Sequence, residues 1–256
     1  MTAPRAPLLP VEEALARLLA AAVPTGRQEV VPLHQADGRV LARDLVSALQ
    51  VPPLDNSAMD GYAVRAAEAV AGAVLPVSQR IAAGSVGTPL ASGTAARIFT
   101  GAPVPEGADA VVMQEDTEAA GEGQVRILKA PAAGQSIRRS GEDIARGSMV
   151  LQAGLRLSPA SLGLAASVGE ASLPVAARPR VALLSTGDEL VMPGEVAPQD
   201  MPPGAIYNSN RFFLRRLLER LGCEVTDLGA VPDRLEATVQ ALREAAASHD
   251  LILTSG

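Results

Sequence analysis

Three apolar runs in the second half of the chain each lead into hydroxyl and acidic residues, and that is where chemistry is first sought. Val181 to Leu184 runs into Ser185-Thr186-Gly187-Asp188-Glu189, Glu224 to Leu228 leads to Val231-Pro232-Asp233, and Leu251 to Leu253 leads to Thr254-Ser255-Gly256. Two adjacent carboxylates directly after an apolar strand suit a magnesium ion or general acid-base work. Thr186 and Asp188 are equally good turn formers, and Asp233 is well placed to cap a helix beginning near Leu235. Glu189 fits a plain turn least, because glutamate is a poor turn former.

Three polar segments in the first half are ambiguous when read singly. Pro52-Pro53-Leu54-Asp55-Asn56-Ser57-Ala58-Met59-Asp60-Gly61-Tyr62-Ala63 carries Met and Tyr in a polar setting, yet an Asx turn followed by an Asp-Gly turn accounts for it. Thr100-Gly101-Ala102-Pro103-Val104-Pro105-Glu106-Gly107 reads as a rigid loop. Arg138-Arg139 before Gly141-Glu142-Asp143 reads as a solvated charged loop.

Composition narrows the chemistry. Cys223 is the one cysteine and His34 and His249 are the two histidines, so a disulfide, a zinc-type cluster and a Ser-His-Asp triad are all poor candidates. Carboxylates must carry acid, base or metal work. A net charge of −6 and a pI near 5.1 argue against a nucleic-acid surface, which needs a concentrated basic face. The apolar stretches are interrupted by charge, Gly or Pro, and the N-terminus lacks a signal-peptide core, so a soluble cytoplasmic protein is expected. With 48% hydrophobic residues over 256 positions, more than one domain is expected.

The elements that must position these residues follow from periodicity. Val11, Leu15, Leu18 and Leu19 recur at helical spacing and predict a docking helix that ends before Pro24. Glu29 to Val46 predicts a strand, a turn at Ala36-Asp37-Gly38 and an apolar segment at Val40-Leu41. Residues 47 to 149 predict a small β-rich domain, with β-prone pieces at Ile98-Phe99, Ala110 to Met113 and Val125 to Leu128. Ser158-Pro159 opens a capped helix that stops at Gly169. After Arg180, strand and helix alternate: Val181 to Leu184, helix Arg211 to Leu221, Glu224 to Leu228, helix Leu235 to Ala247, Leu251 to Leu253. That order predicts a parallel sheet, whose ligands bind at the carboxyl ends of the strands. The chain stops after an apolar strand with no helix to cover it, so truncation is expected.

Taken in order, the strings DNSAMDGYAV, RIFTGAPVPEGADAVVMQED, IRRSGEDI, ALLSTGDELV, IYNSNR and LILTSG resemble the molybdopterin molybdenumtransferase family, MoeA in bacteria and the E domain of gephyrin in animals. The resemblance spans about Pro10 to Gly256. It implies an α/β and β multi-domain chain: a linking domain (27–46 and 147–177), an inserted β-rich domain (47–146) and an incomplete molybdopterin-binding α/β domain (7–26 and 178–256), without the family's C-terminal β-barrel. It also implies a homodimer with the active site between the α/β domain of one subunit and the β-rich domain of its partner.

The implied reaction inserts molybdate into adenylylated molybdopterin, giving molybdenum cofactor and AMP with Mg2+, downstream of a molybdopterin adenylyltransferase. The residues carried over as catalytic are Asp60, Thr100, Asp143, Glu189 and Asp233. Arg138, Arg139, Ser185, Thr186 and Ser255 are the expected substrate-binding groups, and Asp188 with Glu189 the expected magnesium ligands. Asn208 stands where some relatives have an acid. Two other readings are an adenylyltransferase-like enzyme, which the inserted domain opposes, and a non-catalytic gephyrin-like scaffold, which the absence of a long disordered linker does not favour. No nucleic-acid or membrane partner is expected.

Overall fold

The computed structural model describes residues 9–256. They form four α-helices, α1 (Val11–Ala21), α2 (Pro159–Ser167), α3 (Ser209–Arg220) and α4 (Leu235–Ala246). The chain divides into two compact units: the part up to Ala42 together with Ser172–Gly256, and Arg43–Ala171. Among the described residues no helix is long and apolar enough to cross a membrane.

The first unit is built on a three-stranded parallel sheet, with Arg180–Thr186 between Glu224–Val231 and Leu251–Ser255. The centre strand carries Val181, Ala182, Leu183 and Leu184 in succession, each essentially buried. An unbroken apolar run rather than alternation is what a strand covered on both faces requires. Helices α3 and α4 lie against this sheet and supply the crossovers between its parallel strands. A separate antiparallel ribbon pairs Gln28–Pro32 with Ser172–Ala176, and Val31, Leu41, Leu173 and Val175 form its buried side.

Helix α1 forms where the periodicity placed it, but it buries none of its residues. The docking expected of its apolar stripe is thus not realised within the described residues. The chain from Thr186 to α3 also holds structure the periodicity does not reveal. Leu190–Val191 and Ile206–Tyr207 pair in parallel, bracketing the Pro- and Gly-rich stretch 193–204.

The second unit is centred on a six-stranded sheet in the order Ala110–Met113, Gly61–Val64, Ala95–Ile98, Val74–Ile81, Gln124–Ile127, Thr117–Ala119. All neighbours are antiparallel except Val74–Ile81 with Ala95–Ile98. The sheet buries both faces. Val64, Ala95, Ala110 and Val112 belong to one apolar cluster, while Ala63, Ala96, Ile98 and Val111 belong to another. Small alanines at the centre let layers on each side approach closely. Helix α2 begins as its sequence dictates: the Ser158 hydroxyl accepts from the Ser161 N–H, the Ser161 hydroxyl accepts in return from the Ser158 N–H, and Pro159 occupies the first turn.

Candidate functional site

In the β-rich unit the three polar segments, far apart in sequence, are knitted together. The two-residue strand Asn56–Ser57 pairs antiparallel with Ile137–Arg138, and Asn56 bridges to Pro103. Ser57 and Gly101 exchange bonds with the opposite loop: Ser57 N donates to Ala102 O at 2.9 Å, and Gly101 N donates to Ser57 O at 2.8 Å. Val104 N donates to Asp55 O at 2.8 Å, and Ala58 N donates to Ser136 O at 2.9 Å. Backbone pairing therefore fixes the side chains that project from these loops, so that their positions need not be held by side-chain contacts alone.

Asp60 and Thr100 meet directly. Asp60 Oδ1 accepts from the Thr100 N–H and from its hydroxyl, both at 2.8 Å. Those two donors, backbone first, and then the charge of Arg97 hold the Asp60 carboxyl below its ordinary range. Arg97 is itself fixed: one guanidinium nitrogen donates to Gly61 O at 2.8 Å and another to Gln114 Oε1 at 2.9 Å. The guanidiniums of Arg97 and Arg80 both lie over the Phe99 ring, 4.6 and 4.8 Å from its centroid. These two arginines are register neighbours on adjacent strands, so their like charges share one face.

Gly61 makes this arrangement possible. An added Cβ would lie 1.9 Å from Val112 O, a backbone atom, so the close strand approach tolerates no side chain there. The Asp-Gly turn expected of this dipeptide gives way to a different physical reason: Gly61 opens a strand paired on both edges, to Ile98 and to Met113.

A second cluster in this unit surrounds the Arg-Arg pair. Arg138 bonds Asp143 at 2.6 Å and Glu142 at 3.5 Å, while Arg139 bonds Asp55 at 2.6 Å. Asp55 also accepts from the Ser140 N–H at 2.8 Å, and this bond, then the Arg139 guanidinium, holds its carboxyl below the usual range despite partial burial. These pairs are largely exposed, so each is weak in water. The charged loop is solvated, as its sequence led us to expect, and also ordered.

In the α/β unit the three strand ends converge. The buried Ser185 hydroxyl accepts from Asn208 Nδ2 at 3.0 Å, and Ser255 Oγ accepts from Asn210 Nδ2 at 2.9 Å. Asp188 Oδ1 accepts from the Asp233 N–H at 3.2 Å, tying the first strand's loop to the second's. Glu189 folds back over Gly187, whose missing side chain leaves space for the carboxylate. Asp188, Glu189 and Asp233 are all exposed. Among the described residues no group of three or more His, Cys, Asp or Glu side chains gathers for a metal ion.

One expectation changes here. Asp233 does not cap α4: the N-cap is Arg234, with no side-chain cap, and Asp233 is instead a backbone donor to Asp188. Asn208, the position that departs from an acid in some relatives, is buried, caps α3 by accepting from Arg211 N, and anchors Ser185. Its signal was present in the sequence, since Asn-Ser before a helical period is a start signature. Asp55, Arg97 and Asn210 escaped attention because their partners lie 84, 17 and 45 residues away.

A β-rich unit presenting carboxylate, threonine and arginine loops, and a parallel α/β unit presenting hydroxyls and acids at its strand ends, define a mixed α/β multi-domain protein. Residues 9–169 match the family described as the MoeA N-terminal region (domain I and II), and the chain belongs to that family. Residues 182–256 match the model described as a probable molybdopterin binding domain. Similar curated proteins include a molybdopterin molybdenumtransferase of Haemophilus influenzae, 40% identical over 97% of this chain and 61% of that protein. Molybdopterin molybdenumtransferase 2 of Mycobacterium tuberculosis is 44% identical over 94% of this chain and 60% of that protein. The crystal structure of the molybdopterin biosynthesis MoeA protein from Pyrococcus horikoshii OT3 superposes with a TM-score of 0.90 at 34% identity, covering 98% of this chain and 67% of that one. The chain thus spans about three fifths of the length of the curated relatives it matches.

Proposed function

We propose that this chain acts in the insertion of molybdate into adenylylated molybdopterin, giving molybdenum cofactor and AMP. The observation that carries the reading is the convergence, within one unit, of three sequence-distant segments bearing Asp60, Thr100, Asp143 and the two arginines, with the other unit's parallel sheet carrying Ser185, Thr186, Asp188, Glu189, Asp233 and Ser255 at its strand ends. Relatives that share this sequence over nearly its whole length bear the transferase name.

The chemistry fits the ligand. Adenylylated molybdopterin carries a phosphoanhydride and a dithiolene, so its site needs cations near the phosphates and a pocket for a tetrahedral oxyanion. Arg138 and Arg139, released from exposed ion pairs, supply the first. Thr186 and Ser255 offer hydroxyl donors at the strand ends, where an open α/β sheet binds its ligand, and the buried Ser185 stands beside Ser255 in the ladder as the third expected binding group. Asp60 is kept ionised by Thr100 and serves as an acceptor, while Asp143 or Asp233 orients water or the leaving group.

Magnesium fits Asp188 and Glu189, because this ion takes only one or two protein carboxylates and completes its shell with water and substrate phosphates. When bound it would neutralise phosphate charge at the adenylate. The reading includes a homodimer in which the β-rich surface of one copy faces the α/β surface of another, a cytoplasmic location, and a molybdopterin adenylyltransferase as the upstream partner.

The test is AMP release from adenylylated molybdopterin in the presence of molybdate and magnesium, using the protein as its gene encodes it. Glu189→Ala abolishes magnesium-dependent release while leaving the circular dichroism spectrum unchanged. Undiminished release by a folded Glu189→Ala protein rejects the assignment.

A further inference from the structure

The α/β unit has a polar cavity on the side of its sheet opposite the strand ends described above. About 360 Å³ in volume, it is lined by Arg27, Glu29, Arg39, Arg178, Arg180 and Glu224, with Ala177 in the wall. Arg180 and Glu224 open two of the parallel strands, and Asp250 directly precedes the third. The cavity therefore sits at the amino ends of strands whose carboxyl ends carry the site already described.

Its cations are held in place. Arg27 makes a forked bond to Asp250, at 2.9 Å to Oδ1 and 2.5 Å to Oδ2, and also donates to Arg178 O at 3.3 Å. Arg39, whose side chain is only 10% exposed, pairs with Glu29 and donates to Ala176 O at 2.8 Å. Asp250 further accepts from the Arg180 N–H at 2.7 Å. A nearly buried arginine fixed by a carbonyl and a carboxylate is a built floor rather than a loose surface charge.

Two guanidiniums keep donors to spare. Arg180 lies 3.8 Å from Asp250 Oδ1, an oxygen already taken by Arg27. Among the described residues no carboxylate stands within ion-pair distance of Arg178. Four guanidiniums face three carboxylates (Glu29, Glu224 and Asp250), so this pocket carries a cationic excess on a chain of net charge −6. Each arginine presents up to five donors in a planar fork suited to phosphate oxygens.

We propose that this cavity binds a small phosphate-type oxyanion, through Arg178 and Arg180 over the floor formed by Arg27 and Arg39. The volume lies at the small end of ligand pockets, which admits inorganic phosphate or a compact phosphate monoester. Glu224 stands at the rim and opposes the anion.

The experiment is calorimetric titration of the chain with inorganic phosphate and with glycerol 3-phosphate, at constant ionic strength set by chloride. Saturable binding is expected for at least one probe, and tighter binding of the ester identifies an organic phosphate as the better occupant. Arg178→Ala weakens binding about tenfold, the loss of one charge-assisted contact. Glu224→Gln tightens it. Arg126→Ala, which breaks an exposed pair with Glu118 on the other unit, leaves the Kd unchanged. Absence of saturable binding, an unchanged Kd for Arg178→Ala, or equal weakening by Arg126→Ala overturns the proposal, and none of these outcomes bears on AMP release.

Discussion

Replacing Gly61 with alanine tests whether the strand approach beside Asp60 is as tight as it looks. The new Cβ would stand 1.9 Å from Val112 O and 2.9 Å from Val112 C, against ordinary contact that begins at 3.4 Å. Relief requires a shift of about 1.5 Å, roughly a third of the ~4.8 Å spacing between paired strands. Because the obstructing atoms are backbone, no rotamer change absorbs it. Gly61 is paired on both edges, so movement toward the Ala95–Ile98 strand is blocked as well. Overpacking of side chains typically costs 1–3 kcal/mol, and a backbone obstruction belongs at or above the top of that range, about 3 kcal/mol. At roughly 2–4 °C per kcal/mol, Gly61→Ala lowers Tm by about 6–12 °C in a circular dichroism melt. Gly163→Ala is the control: that glycine is exposed inside α2 with nothing near its missing Cβ, and alanine there stabilises by about 0.5–1 kcal/mol. A Gly61→Ala protein melting within about 2 °C of the wild type refutes the reasoning.

Two further outcomes follow from the polar contacts. Thr100→Val deletes one of the two donors to Asp60 and keeps the backbone one, so the Asp60 pKa rises while staying below its ordinary value, which carboxyl-detected NMR titration reads directly. A depressed carboxylate stabilises the fold above its unfolded pKa of about 3.9 and ceases to as pH falls through the folded value, so the variant loses less stability than the wild type on acidification; an unshifted Asp60 contradicts this. Asn208→Ala removes the α3 cap and leaves the buried Ser185 hydroxyl without its partner, at a combined cost of roughly 2–4 kcal/mol. Asn208→Asp retains the capping acceptor and loses less than half as much in urea unfolding, and equal losses for the two variants reject the capping role.

The α/β half was legible because its signals are local. An unbroken Val-Ala-Leu-Leu run, two amphipathic periods and glycine stops dictate strand and helix before any long-range contact is known. The strands outrun the apolar reading, however: Arg180–Thr186 continues through Ser185 and Thr186, since the ladder to Ala230 and Val231 persists where hydrophobicity ends. In the β-rich half three of the six sheet strands were visible, at Ile98, at Ala110 to Met113 and at Val125, whereas Gly61–Val64, Val74–Ile81 and Thr117–Ala119 and the pairing order were not. Pairing there depends on contacts such as Gly61 with Met113 and Val74 with Arg126, which no local pattern encodes. The site suffered most. Asp60 and Thr100 are 40 residues apart and Asp55 and Arg139 are 84 apart, so each segment read alone resembled an ordinary turn.

That geometry also constrains what the acids do. Asp60 and Asp55 each accept a backbone N–H, and both are held below the ordinary carboxylate range. At neutral pH they are anions, and a carboxylate held ionised by its donors is a poor proton donor. Their contribution is therefore to accept hydrogen bonds and to hold cations, Arg139 in one case and the neighbouring Arg97 in the other. On the proposed reading the ligand is itself multiply anionic, and two ionised aspartates beside it would repel it. The repulsion must be offset by cationic charge on the same unit, which is why Arg97, Arg138 and Arg139 belong to one electrostatic argument rather than to separate roles.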